Sequence, residues 1–245
     1  MRNARTLLRQ CPYCLGEFPD EEMTDDHVIA RSWYPAKTPP TAKWEVRTCE
    51  SCNNKKSVLK GDLLGRLALC LDPADPALAG IIQRARRSMD PRSARNEKDL
   101  MHRFNRREAM RRAVTDVDSK NAPGLLPYFM GNFDAGSRTG IEVPAQSLNG
   151  LIQMWVRGIH LCEIRWIIPS RYEVSVIHPD EQTRAEAFSD IIRHAKIVQK
   201  GPGVEVAIFH AEEPEEFMTL YAFNIWNTLR CATSVEREHS PETKG

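Results

Sequence analysis

The stretch that decides the fold is Cys49-Glu-Ser-Cys52-Asn-Asn-Lys-Lys56, which repeats the Cys-x-x-Cys spacing of Cys11-Pro-Tyr-Cys14. Two such pairs in one short segment are typical of a structural zinc site, in which four thiolates surround the ion. The N-terminus lacks an apolar signal-peptide core, so we expect a bacterial-type cytoplasm, where thiols stay reduced and bind metal rather than form disulfides. The predicted ligands of a structural Zn²⁺ are Cys11, Cys14, Cys49 and Cys52.

The residues around the second pair predict the order strand, loop, strand, helix. Residues 24–30 and 44–48 are rich in β-branched and aromatic side chains and should pair as two strands. The prolines between them exclude a helix there. From Asn53 the apolar residues recur with helical spacing until about Asp72, where Pro73 should end the helix.

Two short motifs within this frame carry chemistry suited to phosphodiester hydrolysis. Asp26-His27 precedes an apolar pair, and Asn53 and Lys56 follow the last cysteine of the second pair. Hydrolysis needs a base that takes a proton from water, and a divalent metal that holds the phosphate and offsets charge on the leaving oxygen. An imidazole suits the base near neutral pH, and carboxylate and amide oxygens suit Mg²⁺. Adjacent strand residues point to opposite faces, so Asp26 and His27 can flank one phosphate only on a twisted strand.

Together these residues resemble the HNH nuclease family over about residues 9–66. The resemblance implies that His27 is the general base and that Lys56 is the basic residue of the motif. It implies that Asp26 and Asn53 bind a catalytic Mg²⁺ or another divalent cation, and that the four cysteines bind zinc in a structural role. The implied activity is hydrolysis of phosphodiester bonds in DNA, with RNA as an alternative substrate.

One position departs from the family pattern. The second strand carries Trp44 where the family has an asparagine that braces the loop bearing the histidine. We expect an active endonuclease of the kind found in restriction, phage defence or mobile elements. Two alternatives remain. The first is a zinc-dependent nucleic-acid-binding module, which could be a plain zinc ribbon or a nuclease whose site has decayed. The second is a structural subunit of a defence complex.

The distribution of charge points to nucleic acid in the first half of the chain. Although the net charge is only +1, residues 1–118 hold 22 Lys and Arg against 17 Asp and Glu, and the remainder holds 12 against 16. Arginines between residues 84 and 112 can contact phosphates without sequence preference, or form a solvated helix face. The predicted DNA-binding residues are Arg84, Arg87, Arg103, Arg106, Arg107, Arg111 and Arg112.

The predicted fold class is α+β. It comprises an N-terminal ββα-metal zinc finger at about residues 9–72, a basic helical extension to residue 118, and a small α+β domain over residues 119–245 for specificity, sensing or oligomerisation. Further helices are expected at 75–89, 92–114, 144–164 and 181–199, and strands at 172–177, 204–209 and 217–235, the last with a candidate turn near residues 224–227. No apolar run reaches the length of a membrane span. DNA is the expected partner, with a homodimer or a defence-complex subunit as further candidates.

Overall fold

The computed structural model describes residues 8–35, 38–39, 43–72, 74–116, 139–177, 193–212 and 217–237. These residues form an α+β structure with small N-terminal hairpins, helices and a five-stranded antiparallel sheet. The strands are β1 (Leu8–Gln10), β2 (Glu17–Pro19), β3 (Met23–His27), β4 (Glu45–Cys49), β5 (Val114–Asp116), β6 (Thr139–Ile141), β7 (Tyr172–Ile177), β8 (Lys196–Gln199), β9 (Val204–Glu212), β10 (Phe217–Ile225) and β11 (Leu229–Arg237). The α-helices are α1 (Glu50–Leu69), α2 (Ala79–Met89), α3 (Glu97–Ala113) and α4 (Ala145–Glu163).

The N-terminal strands form two antiparallel hairpins. β1 pairs with β2, and the turn between them carries Cys11 and Cys14. β3 pairs with β4 so that Met23 lies opposite Cys49. α1 begins directly after β4, slightly before its predicted start, with Cys49 in an extended conformation as the N-cap residue. The predicted order of strand, strand and helix is therefore observed.

The helices α2 and α3 begin later than predicted, for local reasons. α2 begins at Ala79 rather than at Asp75, because the Asp75 carboxylate accepts the backbone N–H two residues on (2.8 Å) and closes a separate turn. α3 begins at Glu97, where the Asn96 side chain accepts the backbone N–H of the helix at 2.9 Å and caps it. α4 matches its prediction. In the described part of the chain no helix combines the length and the apolar composition that a membrane span requires.

The large sheet has the order β7-β11-β10-β9-β8 and is antiparallel throughout. Three predicted strands are confirmed, and the last of them is divided by a turn at residues 226–228 into β10 and β11. The predicted helix over residues 181–199 is wrong at its end. Residues 196–199 form β8, in which the β-branched Ile197 and Val198 pair with β9 at the sheet edge. The rest of that prediction, residues 181–192, lies outside the described residues.

One hydrophobic cluster contains buried residues from both sides of the predicted domain boundary. At its centre Trp33 packs edge-on against Trp155 of α4 (5.0 Å between ring centroids) and stacks on Trp226 after β10 (5.2 Å). The indole N–H of Trp226 also donates to the carbonyl oxygen of Trp33 (3.0 Å). Because the boundary itself falls among residues outside the described ranges, the division into residues 1–118 and 119–245 stays a prediction.

Candidate zinc centre and active site

Four thiols converge where the first hairpin meets the start of α1. Cys11 and Cys14 lie at the β1–β2 turn, Cys49 ends β4, and Cys52 lies in the first turn of α1. The N–H of Leu15 donates to the carbonyl of Cys11 (2.9 Å), and Leu15 has a left-handed conformation (φ 63°) that closes the turn tightly. As a result all four sulfur atoms lie within 4.8 Å of one another.

This arrangement fits a tetrahedral Zn²⁺. Zn–S bonds of about 2.3 Å place neighbouring sulfurs about 3.8 Å apart, and the sulfurs of Cys14 and Cys49 are 3.8 Å apart. Burial raises the pKa of Cys11, but hydrogen bonds with Thr48 and nearby backbone amides outweigh it and lower the pKa to about 7. The Cys11 thiolate therefore forms near neutral pH, whereas burial raises the pKa of Cys49 and of Cys52 in the absence of an ion. The four cysteines are placed to bind a structural Zn²⁺ that joins the hairpin to α1.

Asp26, a predicted ligand of the catalytic metal, is buried, and its carboxylate already has two partners within the protein. Its Oδ2 accepts from the hydroxyl of Tyr13 (2.8 Å) and forms an ion pair with the ammonium of Lys56. That ammonium also donates to the carbonyl of His27 (2.7 Å). Burial lowers the pKa of Lys56 to about 8 against the opposing effect of Asp26. Burial and the Asp26 charge raise the pKa of Tyr13, which stays protonated as a donor.

His27, the predicted general base, lies at the end of β3 opposite Glu45. Its Nε2 accepts from Nε of Arg31, and its Nδ1 lies 3.6 Å from Oε1 of Glu45. A ring nitrogen that accepts a hydrogen bond carries no proton, so this contact is consistent with the neutral tautomer protonated on Nδ1, a buried nitrogen without a hydrogen-bond partner among the described residues. Burial, followed by the charge of Arg31, lowers the pKa of His27. The imidazole is therefore kept in the form that can accept a proton.

Asn53, the second predicted ligand of the catalytic metal, lies in the first turn of α1 and contacts β3. Its Nδ2 donates to Oγ1 of Thr24 (3.1 Å). Within the described ranges, only the four cysteines form a group of three or more His, Cys, Asp or Glu residues placed to share an ion. With Lys56 on the Asp26 carboxylate, the arrangement does not fit a divalent cation held between Asp26 and Asn53.

Trp44, which stands in place of the motif asparagine, is buried and links the hairpin to α4. Its indole N–H donates to Oε1 of Glu163 at the end of α4 (2.7 Å). Its carbonyl accepts from the N–H of Val28, directly after His27 (3.0 Å). The backbone at this position therefore still holds the segment that follows the histidine, while the side chain binds elsewhere.

The predicted DNA-binding arginines fall into two groups. Three are half-buried and hydrogen-bond the protein itself: Arg84 to the carbonyl of Tyr34 (2.6 Å), Arg103 to Asp99 (2.9 Å) and Arg106 to the carbonyl of Ser88 (3.4 Å). The four exposed ones are Arg87, Arg107, Arg111 and Arg112. The exposed arginines are better placed to contact a phosphate backbone, because the half-buried arginines already hydrogen-bond the protein.

Sequence reasoning missed three side chains at this site: Tyr13, Arg31 and Glu45. Tyr13 lies inside the first Cys-x-x-Cys pair, and no spacing rule relates it to Asp26. Glu45 could have been found from the register of β3 and β4, which places it opposite His27. Arg31 reaches His27 from the short turn after β3.

Comparisons with protein-family models, with curated proteins and with solved structures found no match for this chain. The resemblance to HNH nucleases therefore rests on the motif residues and their surroundings alone.

Proposed function

We propose that the chain is an HNH-type endonuclease that hydrolyses phosphodiester bonds in DNA with the help of Mg²⁺ or another divalent cation. One observation carries the proposal. The cysteine centre joins the β1–β2 hairpin to β4 and α1. Directly along α1, Lys56 pairs with Asp26 and donates to the carbonyl of His27 on β3, and Asn53 contacts Thr24 on the same strand. A zinc ribbon that only binds nucleic acid does not require this combination.

His27 supplies the base in this proposal. Arg31 is exposed, so it can leave Nε2 of His27 and pair with the phosphate of the substrate. The freed Nε2 then takes a proton from the attacking water. Glu45, near Nδ1, stabilises the imidazolium that results.

A divalent cation in such enzymes offsets charge on the phosphate and the leaving oxygen. The resemblance names Asp26 and Asn53 as its ligands. In this structure Lys56 is bound to Asp26, so metal dependence is the part of the proposal that rests on the resemblance and not on the geometry.

The same ion pair favours a second function. A carboxylate that stays paired with a buried lysine does not bind a metal, and Trp44 stands in place of the motif asparagine. The chain would then be a zinc-dependent nucleic-acid-binding module with a decayed nuclease site, either alone or as a subunit of a defence complex.

A plasmid assay separates the two functions. Supercoiled DNA is incubated with the full chain and Mg²⁺, Mn²⁺ or EDTA, and zinc content is measured after each incubation so that loss of the structural ion is not mistaken for loss of catalytic metal. If the chain is a nuclease, nicked or linear DNA should appear with Mg²⁺ or Mn²⁺ and not with EDTA. Binding without cleavage by folded, zinc-loaded protein would support the module instead.

A further inference from the structure

An open groove of about 570 Å³ lies between the C-terminal end of α1, α2 and α3, away from the cysteine centre. Five arginines and one carboxylate line it: Arg86, Arg87, Arg92, Arg107, Arg111 and Asp90. All five arginines are exposed. Arg86 and Arg92 were not among the predicted DNA-binding residues, and the half-buried Arg84, Arg103 and Arg106 do not line the groove.

The guanidinium groups of three of these arginines make no hydrogen bond or ion pair with the described part of the chain, although Arg107, after Arg92, helps to lower the pKa of Asp90. Arg92 pairs with Asp90 (3.1 Å), and Arg111 pairs with Glu108 (3.3 Å). Within the part of the chain that the structure describes, the guanidinium groups of Arg86, Arg87 and Arg107 make no hydrogen bond or ion pair. Clustered like charges repel one another, and a bound anion would relieve that repulsion.

Four apolar side chains, here called the apolar floor, also line the groove: Leu69, Met89, Met110 and Val114. Met89 and Met110 are buried, so the surface open to a ligand comes mainly from Leu69, which is half-buried, and Val114, which is 42% exposed. Guanidinium groups bind phosphate through paired hydrogen bonds. Exposed apolar side chains can pack against the face of a base, which is itself weakly polar. The pairing of arginine walls with an apolar floor therefore suits a nucleotide, whose phosphate and base require these two surfaces.

We propose that this groove binds a nucleotide whose base is unstacked, as in single-stranded nucleic acid, with the phosphate on Arg87 and Arg107 and the base on the apolar floor. A duplex buries its bases in the stack and cannot place one there without flipping it. A free nucleotide presents the same phosphate and unstacked base, so the experiment tests a single strand and a free nucleotide.

The position of the groove suits a substrate strand, a reading that rests on the proposed function. Leu69 at the groove and Lys56 at the candidate active site lie on the same helix, about 20 Å apart at 1.5 Å per residue. About six nucleotides of a stacked strand cover that distance. A nucleic-acid strand that leaves the active site along α1 would therefore reach the arginines after about six nucleotides.

The test measures binding without cleavage. The full chain carrying His27→Ala is compared with the same protein carrying Arg87→Gln and Arg107→Gln, and with a matched control carrying Lys98→Gln and Arg230→Gln. Both control positions are exposed and lie outside the groove. Fluorescence anisotropy follows a labelled single-stranded oligonucleotide and a hairpin duplex, and circular dichroism and zinc content confirm that each variant is folded.

The groove variant should bind the single strand about tenfold more weakly, and the slope of log K against log salt should flatten by about 0.7 for each phosphate that the variant no longer neutralises. The control should change by less than about twofold, and the duplex should lose less affinity than the single strand. Unchanged single-strand affinity, or equal losses for strand and duplex, would overturn the proposal.

A competition arm identifies the source of the nucleotide. If a nucleoside monophosphate displaces the oligonucleotide from the His27→Ala protein but not from the groove variant, the groove binds free nucleotides. If it displaces nothing while the groove variant still loses single-strand affinity, the ligand is a strand. Because no cleavage is measured, absence of nuclease activity in the native chain leaves these results unchanged and counts only against the proposed function.

Discussion

At the scale of single residues, the buried ion pair of Asp26 and Lys56 should contribute measurably to stability. Both side chains are buried, so removing one leaves the other charged and unpaired. Lys56→Met should lower the free energy of unfolding by about 3 kcal/mol, and adding Asp26→Asn should recover part of that loss. Urea denaturation of the two variants and the native chain measures both effects. A change below about 0.5 kcal/mol for Lys56→Met would show that the pair is exposed to solvent.

His160 on α4 gives a pH dependence of stability. It is fully buried, and its Nδ1 lies 2.6 Å from the hydroxyl of Tyr221. Burial, with smaller contributions from His210 and Arg157, lowers its pKa from 6.5 to about 4. The unfolded chain therefore takes up a proton first as the pH falls. The contribution of His160 to stability is complete above about pH 6.5 and is lost toward pH 4, by about 2 kcal/mol between pH 7 and pH 5.

His160→Gln should flatten the loss of stability between pH 7 and pH 5, whatever its effect at pH 7. Urea denaturation at both pH values measures this difference. His102→Gln is the matched control, because His102 is exposed on α3. If the two variants keep the same pH dependence as the native chain, the protonation of His160 is not coupled to folding.

Residues at the candidate site differ in how far the sequence predicts them. The four cysteines were predictable because their spacing alone specifies a zinc site. The ion pair of Lys56 with Asp26 was not, because it depends on how α1 packs against β3, which no local pattern records. The same holds for Arg31, which the HNH motif does not include and which contacts His27 through the turn that follows β3.

At the scale of elements, the cysteine centre joins the β1–β2 hairpin to β4 and α1. Cys49→Ser should remove the zinc and disorder this region, because the small cluster of Cys11, Met23 and Cys49 offers little other buried apolar surface there. Metal analysis and thermal denaturation measure the change. Cys162→Ser, at a cysteine outside the cluster, should keep full zinc content. Equal zinc in both variants would contradict the assignment.

Elements with strong local signals were predicted well, and the others were not. The β3–β4–α1 unit and α4 followed from β-branched runs and helical periodicity. β8 was assigned to a helix because four residues carry too little periodicity to be distinguished from a helix end. Its strand conformation comes from pairing with β9, a contact between segments that the sequence does not reveal.

For the whole molecule, the tryptophan cluster joins residues of both predicted domains. Trp155→Ala should lower the free energy of unfolding by about 3–5 kcal/mol. If the shared core unfolds as one unit, circular dichroism and tryptophan fluorescence should report a single transition at a lower temperature. Phe104→Ala, at an exposed site on α3, is the control. Two transitions, of which only one shifts, would support separate domains instead.

The hydrophobic periodicity of the chain predicted an α+β protein, and its charge distribution predicted a basic first half, but neither predicted this shared core. Trp33, Trp155 and Trp226 are far apart in sequence, and each could have packed within its own half. The arginine groove likewise depends on the packing of three helices, which separates exposed arginines from those that hydrogen-bond the protein.

The most direct test of the central claim is single-turnover cleavage of plasmid DNA by zinc-loaded protein with Mg²⁺, comparing the native chain with His27→Ala and with His102→Ala. If His27 is the general base of a nuclease, His27→Ala should slow cleavage by about 10²–10⁴-fold while folding and zinc content are unchanged. His102→Ala, at an exposed histidine outside the site, should cleave at the native rate. Equal rates for the native chain and His27→Ala, or no cleavage by the native chain, would contradict the account.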